Sequence, residues 1–228
     1  MKFKGLTNNQ LKIIAMITML IDHIGIVLFP QIKIFRIIGR IAFPIFAYMI
    51  AEGCTYTKNK KKYLLSLASL GIVCQLFFFL GTGSMYMNVL ITFTLSVIAI
   101  FCTDYFLKHK NLHSTSILII TIATIIFVCV IVPKYFSFYD FEIDYGLLGV
   151  ILPIAIYLAC NKTEKILCTV ALLLLMSFVF KGVQVYSLLS VPLLMLYNGK
   201  RGKMNLKYMF YIFYPTHLVV IYGIGMII

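Results

Sequence analysis

Apolar residues run through this chain in long unbroken stretches separated by short polar turns. They do not alternate with polar residues at every second position. A helix of about 20 apolar residues spans a bilayer. The pattern predicts helices near 11–29, 35–52, 63–81, 87–107, 115–132, 145–160, 164–181, 183–198 and 206–228. The eighth is short and carries Pro192, so the count is about nine, with eight as the alternative. A β-barrel would show short alternating segments instead. The first run holds Asp22 and His23 and lacks a small-residue cleavage site, so it reads as a retained span and not a secretory leader. No repeat, low-complexity tract or long linker breaks the series. The expectation is one all-α domain over 1–228, a polytopic transmembrane helical bundle.

Composition narrows the class further. Hydrophobic residues make up 62% of the 228 and charged residues 12%, and mean hydropathy is +1.01. A soluble domain is about half apolar and a quarter charged, so a water-soluble globule is excluded. The 15 Tyr and 19 Phe residues exclude a disordered chain. The six cysteines form no CxxC pair, which predicts reduced thiols and neither a disulfide framework nor a metal site.

A net charge of +13 would suggest nucleic acid in a soluble protein, but here topology accounts for it. Fourteen basic residues fall in alternate loops on one side: Lys2, Lys4, Lys58, Lys60, Lys61, Lys62, Lys108, Lys110, Lys162, Lys165, Lys200, Arg201, Lys203 and Lys207. Only Lys33, Lys134 and Lys181 fall on the other. The positive-inside rule then places the N-terminus in the cytoplasm, with lipid as the surrounding partner and no nucleic acid required. A multi-pass protein of a bacterial cytoplasmic (cell) membrane is expected.

Ionisable residues inside such spans are costly and mark functional sites by default. The first predicted helix has Asp22 and His23, the second Arg36, Arg40 and Glu52, and the last His217; Asp144 stands at the mouth of the sixth. At ~1.5 Å per residue, His23 lies about 9 Å and Arg40 about 7.5 Å below the outer helix ends. The connection PQIKI is short, so the two helices are antiparallel neighbours and His23 and Arg40 share a level. Arg36 and Arg40 share a face. Asp22 and His23 diverge by about 100°, so Asp22 pairs with an arginine and does not orient its neighbour. Such a pair also serves simply to lock two helices. Glu52, just before KNKKK, reads as a solvated cytoplasmic carboxylate, and alternatively as a group that meets a donor. His217 follows Pro215 in YPTH, where proline frees a backbone carbonyl. It reads equally as a buried hydrogen-bonded histidine. Asn88, Thr92 and Thr94 line a cavity or join helices, and His109 and His113 read as solvated.

There is no nucleophile elbow, HExxH, Walker motif or paired catalytic carboxylate. A neutral His removes a proton from an amine or hydroxyl, and arginines neutralise a developing oxyanion. The combination fits acyl transfer, and also a proton-coupled carrier.

The runs LKIIAMITMLIDHIG (11–25) and RIIGRIAFPIFAYMIAEG (36–53) resemble the opening of the TraX family. DYGLLGVILPIAIYL (144–158), YSLLSVPLLMLYNGKRG (186–202) and KYMFYIFYPTHLVVIYGI (207–224) resemble its later blocks, in order. The namesake N-acetylates conjugative pilin. The resemblance implies a membrane acetyltransferase using acetyl-CoA, with no metal, and a pilin or small secreted or membrane peptide as acceptor. It is more distantly similar to membrane acyltransferases with an early-helix histidine. Carried over, His23 is the catalytic base candidate with Asp22 and Arg40 beside it. Arg36, Asp144, His217, Glu52 and Asn88 are candidates for contacting substrate or donor. O-acetylation of an extracytoplasmic glycan and proton-coupled transport are the alternatives.

Overall fold

A computed structural model describes residues 5–136, 140–203 and 207–227. Among these the backbone is helical, with two isolated bridges, Leu6–Tyr197 and Met87–Ile143. The helices are α1 (Asn8–Val27), α2 (Lys33–Gly39), α3 (Ala42–Tyr56), α4 (Lys60–Thr82), α5 (Val89–His109) and α6 (Leu112–Ile126). They continue with α7 (Val132–Tyr135), α8 (Gly146–Leu158), α9 (Lys162–Phe180), α10 (Ser190–Met195) and α11 (Lys207–Gly225). A π-helical turn, Phe127–Ile131, joins α6 to α7, and a 3-10 helix, Gly182–Leu189, precedes α10. Each of the nine apolar runs falls on helical backbone, six on a single helix, while 35–52, 115–132 and 183–198 are each divided between two or more elements. Lys2, Lys4 and the outermost positions of the last run, 206 and 228, lie outside the described residues.

Among the described residues, six helical segments are long and apolar enough to cross a membrane, and three more apolar helices have 10–17 residues. Their outer faces expose Ile72, Leu76, Phe77 and Leu80 on α4, Ile119 and Ile120 on α6, and Phe178 on α9. Water does not tolerate apolar surface on this scale; lipid does. This is a membrane protein.

The apolar runs are interrupted at three places, and two of the interruptions have local causes in proline. The predicted helix 35–52 breaks at Arg40–Ile41, where the Ile41 N–H donates to the Ile38 carbonyl at 3.2 Å in a tight 3-10 turn. Pro44 explains the break, because it has no N–H for the Arg40 carbonyl and its ring clashes there. Pro133 acts similarly at the end of the fifth apolar run, where the Val132 N–H reaches back to Phe127 in the π turn between α6 and α7. The third is the 3-10 stretch, which begins at Lys181 and Gly182 with φ of +53° and +57°.

The chain divides into two compact units, Met1–Met49 with Ala159–Ile228, and Ile50–Leu158. In the first, α1 packs against α2 and α11, and α2 and α9 pack against the 3-10 helix. Residues 42–49 of α3 are buried on every side, as an all-apolar helix should be. The start of the chain is tied down far from His23: the Leu6 N–H donates to Leu196 and the Asn198 N–H to Leu6, at 2.7 and 2.9 Å. The Lys162 ammonium caps α10 by donating to the carbonyls of Met195 and Tyr197, both at 2.7 Å.

In the second unit α5 is central, packed on α4, α6 and α8. Asp104, which the apolar pattern conceals, accepts from Lys60 and from the Tyr157 hydroxyl. Ser96 donates to the Val150 carbonyl at 2.9 Å, joining α5 to α8.

Candidate active site

The site begins in the α1–α2 hairpin. The turn closes through the Leu28 and Phe29 N–H groups on the Ile24 carbonyl and the Ile32 N–H on Phe29. Two glycines let the helices touch: a Cβ on Gly25 would strike Phe35, and one on Gly39 would strike the Asp22 carboxylate. Their absence of a side chain explains DHIG and RIIGR physically.

Asp22 accepts from Arg36 Nη1 at 2.6 Å. Arg40 Nη2 donates to both Asp22 oxygens, at 3.0 and 3.2 Å. The side chains of Asp22 and Arg40 are each 13% exposed and that of Arg36 29%. One carboxylate thus holds two guanidinium groups, and the cluster carries a net positive charge. Removing the carboxylate from such a partly buried set costs about 3–5 kcal/mol, because the cations are left uncompensated.

His23 and His217 come together, with ring centroids 5.0 Å apart and planes at 72°. Each ties Nδ1 to the carbonyl four residues earlier: His23 to Met19 at 2.9 Å, His217 to Phe213 at 2.8 Å. A carbonyl only accepts, so each Nδ1 carries the proton in the neutral ring and each Nε2 keeps a lone pair. The carbonyl used by His217 is that of Phe213, not Tyr211, the one that Pro215 leaves without its helical donor. His217 also stacks on Phe213 at 4.8 Å and meets Tyr214 edge-on. Its Nε2 is buried without a hydrogen-bond partner. Charges on Asp22, Arg36 and Arg40 lie within electrostatic range of His23.

A third component escaped the sequence reading. Arg40 Nη1 makes a long hydrogen bond, 3.5 Å, to Oε1 of Gln184. Gln184 is 5% exposed and Ser187 fully buried; Gln184 Nε2 and Ser187 Oγ have no partner. An unsatisfied buried polar atom costs about 1–3 kcal/mol, so two in one helix are a candidate place for a ligand to supply acceptors. The signal was the spacing of polar residues in QVYSLLS, every third position within an apolar run.

The remaining candidates belong to the second unit. Glu52 is 5% exposed, which corrects the reading of a solvated carboxylate. α3 runs on to Tyr56, so Glu52 sits a turn inside the helix and is packed. Asn88 caps α5 by accepting from the Leu90 N–H at 3.0 Å, and its amide donates to Gly71 and Gln75. Asp144 accepts from the Tyr86 hydroxyl at 2.8 Å, and its carbonyl accepts from Thr92 at 2.7 Å. Burial first, and then the Asp144 charge, push the Tyr86 phenol above its usual range, so it stays a donor. Thr94 donates to the Leu90 carbonyl within its own helix. His109 and His113 are exposed. Among the described residues, no group of three or more His, Cys, Asp or Glu side chains is placed to hold a metal ion.

Comparisons with known proteins bear on this arrangement. No solved structure matches. The chain is 28% identical over 247 residues to the probable fimbrial assembly protein FimC, serogroup H1, of Dichelobacter nodosus, covering 93% of each. A shorter match, 41% identical over 73 residues, is to an uncharacterized protein of Rickettsia prowazekii and covers 31% of this chain and 27% of that one. The family described as TraX protein matches residues 7–225, which takes in Asp22, His23, both arginines, Gln184 and His217. The chain belongs to the TraX family.

Proposed function

We propose that the protein is an acetyltransferase of the bacterial cytoplasmic membrane, moving an acetyl group from acetyl-CoA to the N-terminal amine of a pilin or small secreted or membrane peptide. The observation that carries this is the state of His23, whose Nδ1 is spent on Met19, leaving Nε2 as a base beside a net-positive cluster. In the reaction the amine lone pair attacks the thioester carbonyl carbon, and the C=O electron pair moves onto oxygen. His23 Nε2 takes the amine proton. Collapse of the tetrahedral intermediate re-forms the carbonyl and expels the CoA sulfur, which receives the proton from His23. Arg40 and Arg36, neutralised only in part by Asp22, offset charge that develops on oxygen. The name of the Dichelobacter relative, a probable fimbrial assembly protein, supports a pilin-like acceptor.

The decisive test is mass spectrometry of surface and membrane peptides from cells with and without the gene. Gain of one acetyl group at an N-terminal amine, dependent on His23, is expected. Acetylation found only on glycan would replace the acceptor, and no acetylation difference at all would favour the proton-coupled carrier. The basic-loop asymmetry supports about nine spans with a cytoplasmic N-terminus. A reporter active only outside should then work after residue 140 and fail after residues 60, 110 and 202. Activity after 60 would invert the orientation.

A further inference from the structure

The 3-10 helix Gly182–Leu189 is eight residues long, whereas such runs rarely exceed three or four. Its geometry has a specific consequence. With three residues per turn, positions i and i+3 eclipse, so Gln184, Ser187 and Ser190 stand in one line, roughly 6 Å apart along the axis. In an α-helix they would fan around the cylinder. All three are buried. Ser190 spends its hydroxyl on the Ser187 carbonyl at 2.7 Å; Gln184 Nε2 and Ser187 Oγ have no hydrogen-bond partner.

The orientation of the Gln184 amide is fixed by chemistry. Arg40 can only donate, so the atom that meets it is Oε1, and the NH2 points elsewhere. Withdrawal of electron density by the guanidinium also strengthens those N–H groups as donors. The result is an amide N–H and a hydroxyl one 3-10 turn apart on one line, both buried and both without a hydrogen-bond partner. A neutral donor pair of this kind suits a carbonyl oxygen that becomes negative.

We propose that Gln184 Nε2 and Ser187 Oγ bind the carbonyl oxygen of the acyl thioester and stabilise the oxyanion formed when the acceptor attacks it. This rests on the acetyltransferase reading. It gives Arg40 a second role: joined to Asp22 through Nη2 and to Gln184 through Nη1, it sets the donor amide in place. The bonds are those of the reaction above: the C=O π pair moves onto oxygen between the two donors and returns when sulfur leaves, and neither residue gives up a proton.

The test uses membrane vesicles carrying the full chain, acetyl-CoA, and a synthetic peptide with the free N-terminus of a processed pilin from the same genome. Release of the CoA thiol is measured and normalised to protein abundance. Gln184→Glu separates the readings, because a glutamate keeps and strengthens the contact to Arg40 but donates nothing to substrate. It should lower kcat by about 10²–10³, the usual loss for one oxyanion donor, with KM for acetyl-CoA within about twofold. Ser187→Ala should lower kcat in the same sense, and Ser187→Thr, which retains the hydroxyl, should recover most of it. A Gln184→Glu protein as fast as wild type, or a loss matched by abundance, overturns the donor pair while leaving the acetyltransferase reading intact. A wild type that transfers nothing overturns both.

Discussion

The two units bury their polar groups in opposite ways. In Ile50–Leu158, Asp104 holds Lys60 and Tyr157, Asp144 holds Tyr86, Asn88 serves a helix cap and α4, and Ser96 joins α5 to α8. These bonds join helix to helix or loop to helix. In the unit built from Met1–Met49 and Ala159–Ile228, Asp22 gathers two arginines, while Gln184 Nε2, Ser187 Oγ and His217 Nε2 are buried without partners. A saturated polar network holds helices in place. An unsaturated one in a membrane interior costs stability and is retained where a ligand completes it. The proposed site lies in the unit whose buried polar atoms lack partners, Met1–Met49 with Ala159–Ile228.

The largest expected effect tests the site. His23→Ala should reduce acetyl transfer by about 10²–10⁴, the usual contribution of a general base. Membrane abundance should hold, because losing a polar group in α1 eases insertion. Normal turnover in this variant would end the role of His23 and erase the contrast.

Arg40→Lys comes next. A lysine cannot span Asp22 and Gln184 together as the planar fork does. Losing one charge-assisted hydrogen bond costs about 1.5–3 kcal/mol, or roughly 10–100-fold in rate. The assay is turnover per folded protein; a wild-type value would reduce Arg40 to a helix lock.

Gly39→Ala probes the close approach of α2 to Asp22. The added methyl collides with the carboxylate, and overpacking costs about 1–3 kcal/mol. Thermal unfolding in detergent should shift downward and activity should fall with it. An unchanged midpoint would mean the hairpin can open without cost.

Asp104→Ala should give the smallest effect on activity. Removing the acceptor of Tyr157 and Lys60 should lower stability by about 1–2 kcal/mol, less than a buried pair because Lys60 is half exposed and screened. Turnover per folded molecule should stay at the wild-type value. A large loss of turnover would make the second unit part of the chemistry.

Much was legible in the chain itself. The nine apolar runs fall on helical backbone because a bilayer-length run is a local property, and helix is the form that satisfies its backbone without water. The pairing of Asp22 with the arginines was legible too, from an i, i+4 spacing, a five-residue turn and the 100° step that separates Asp22 from His23. Other features needed long-range neighbours. Glu52 beside a lysine run reads as solvated, and only its packing makes it buried. His217 lies 194 positions after His23, and no periodicity joins them.

Sequence alone therefore determined the class, the helical segments and the charged hairpin, since hydrophobic run length, loop charge and helical period are set by residues close together in the chain. Tertiary structure decided which polar atoms remain unsatisfied. The line of Gln184 and Ser187 exists only because residues 182–189 wind as a 3-10 helix, a form with poorer hydrogen bonds that packing against α2 and α9 holds in place. Satisfaction of a buried donor is a property of everything around it, and that is fixed only when the helices have packed.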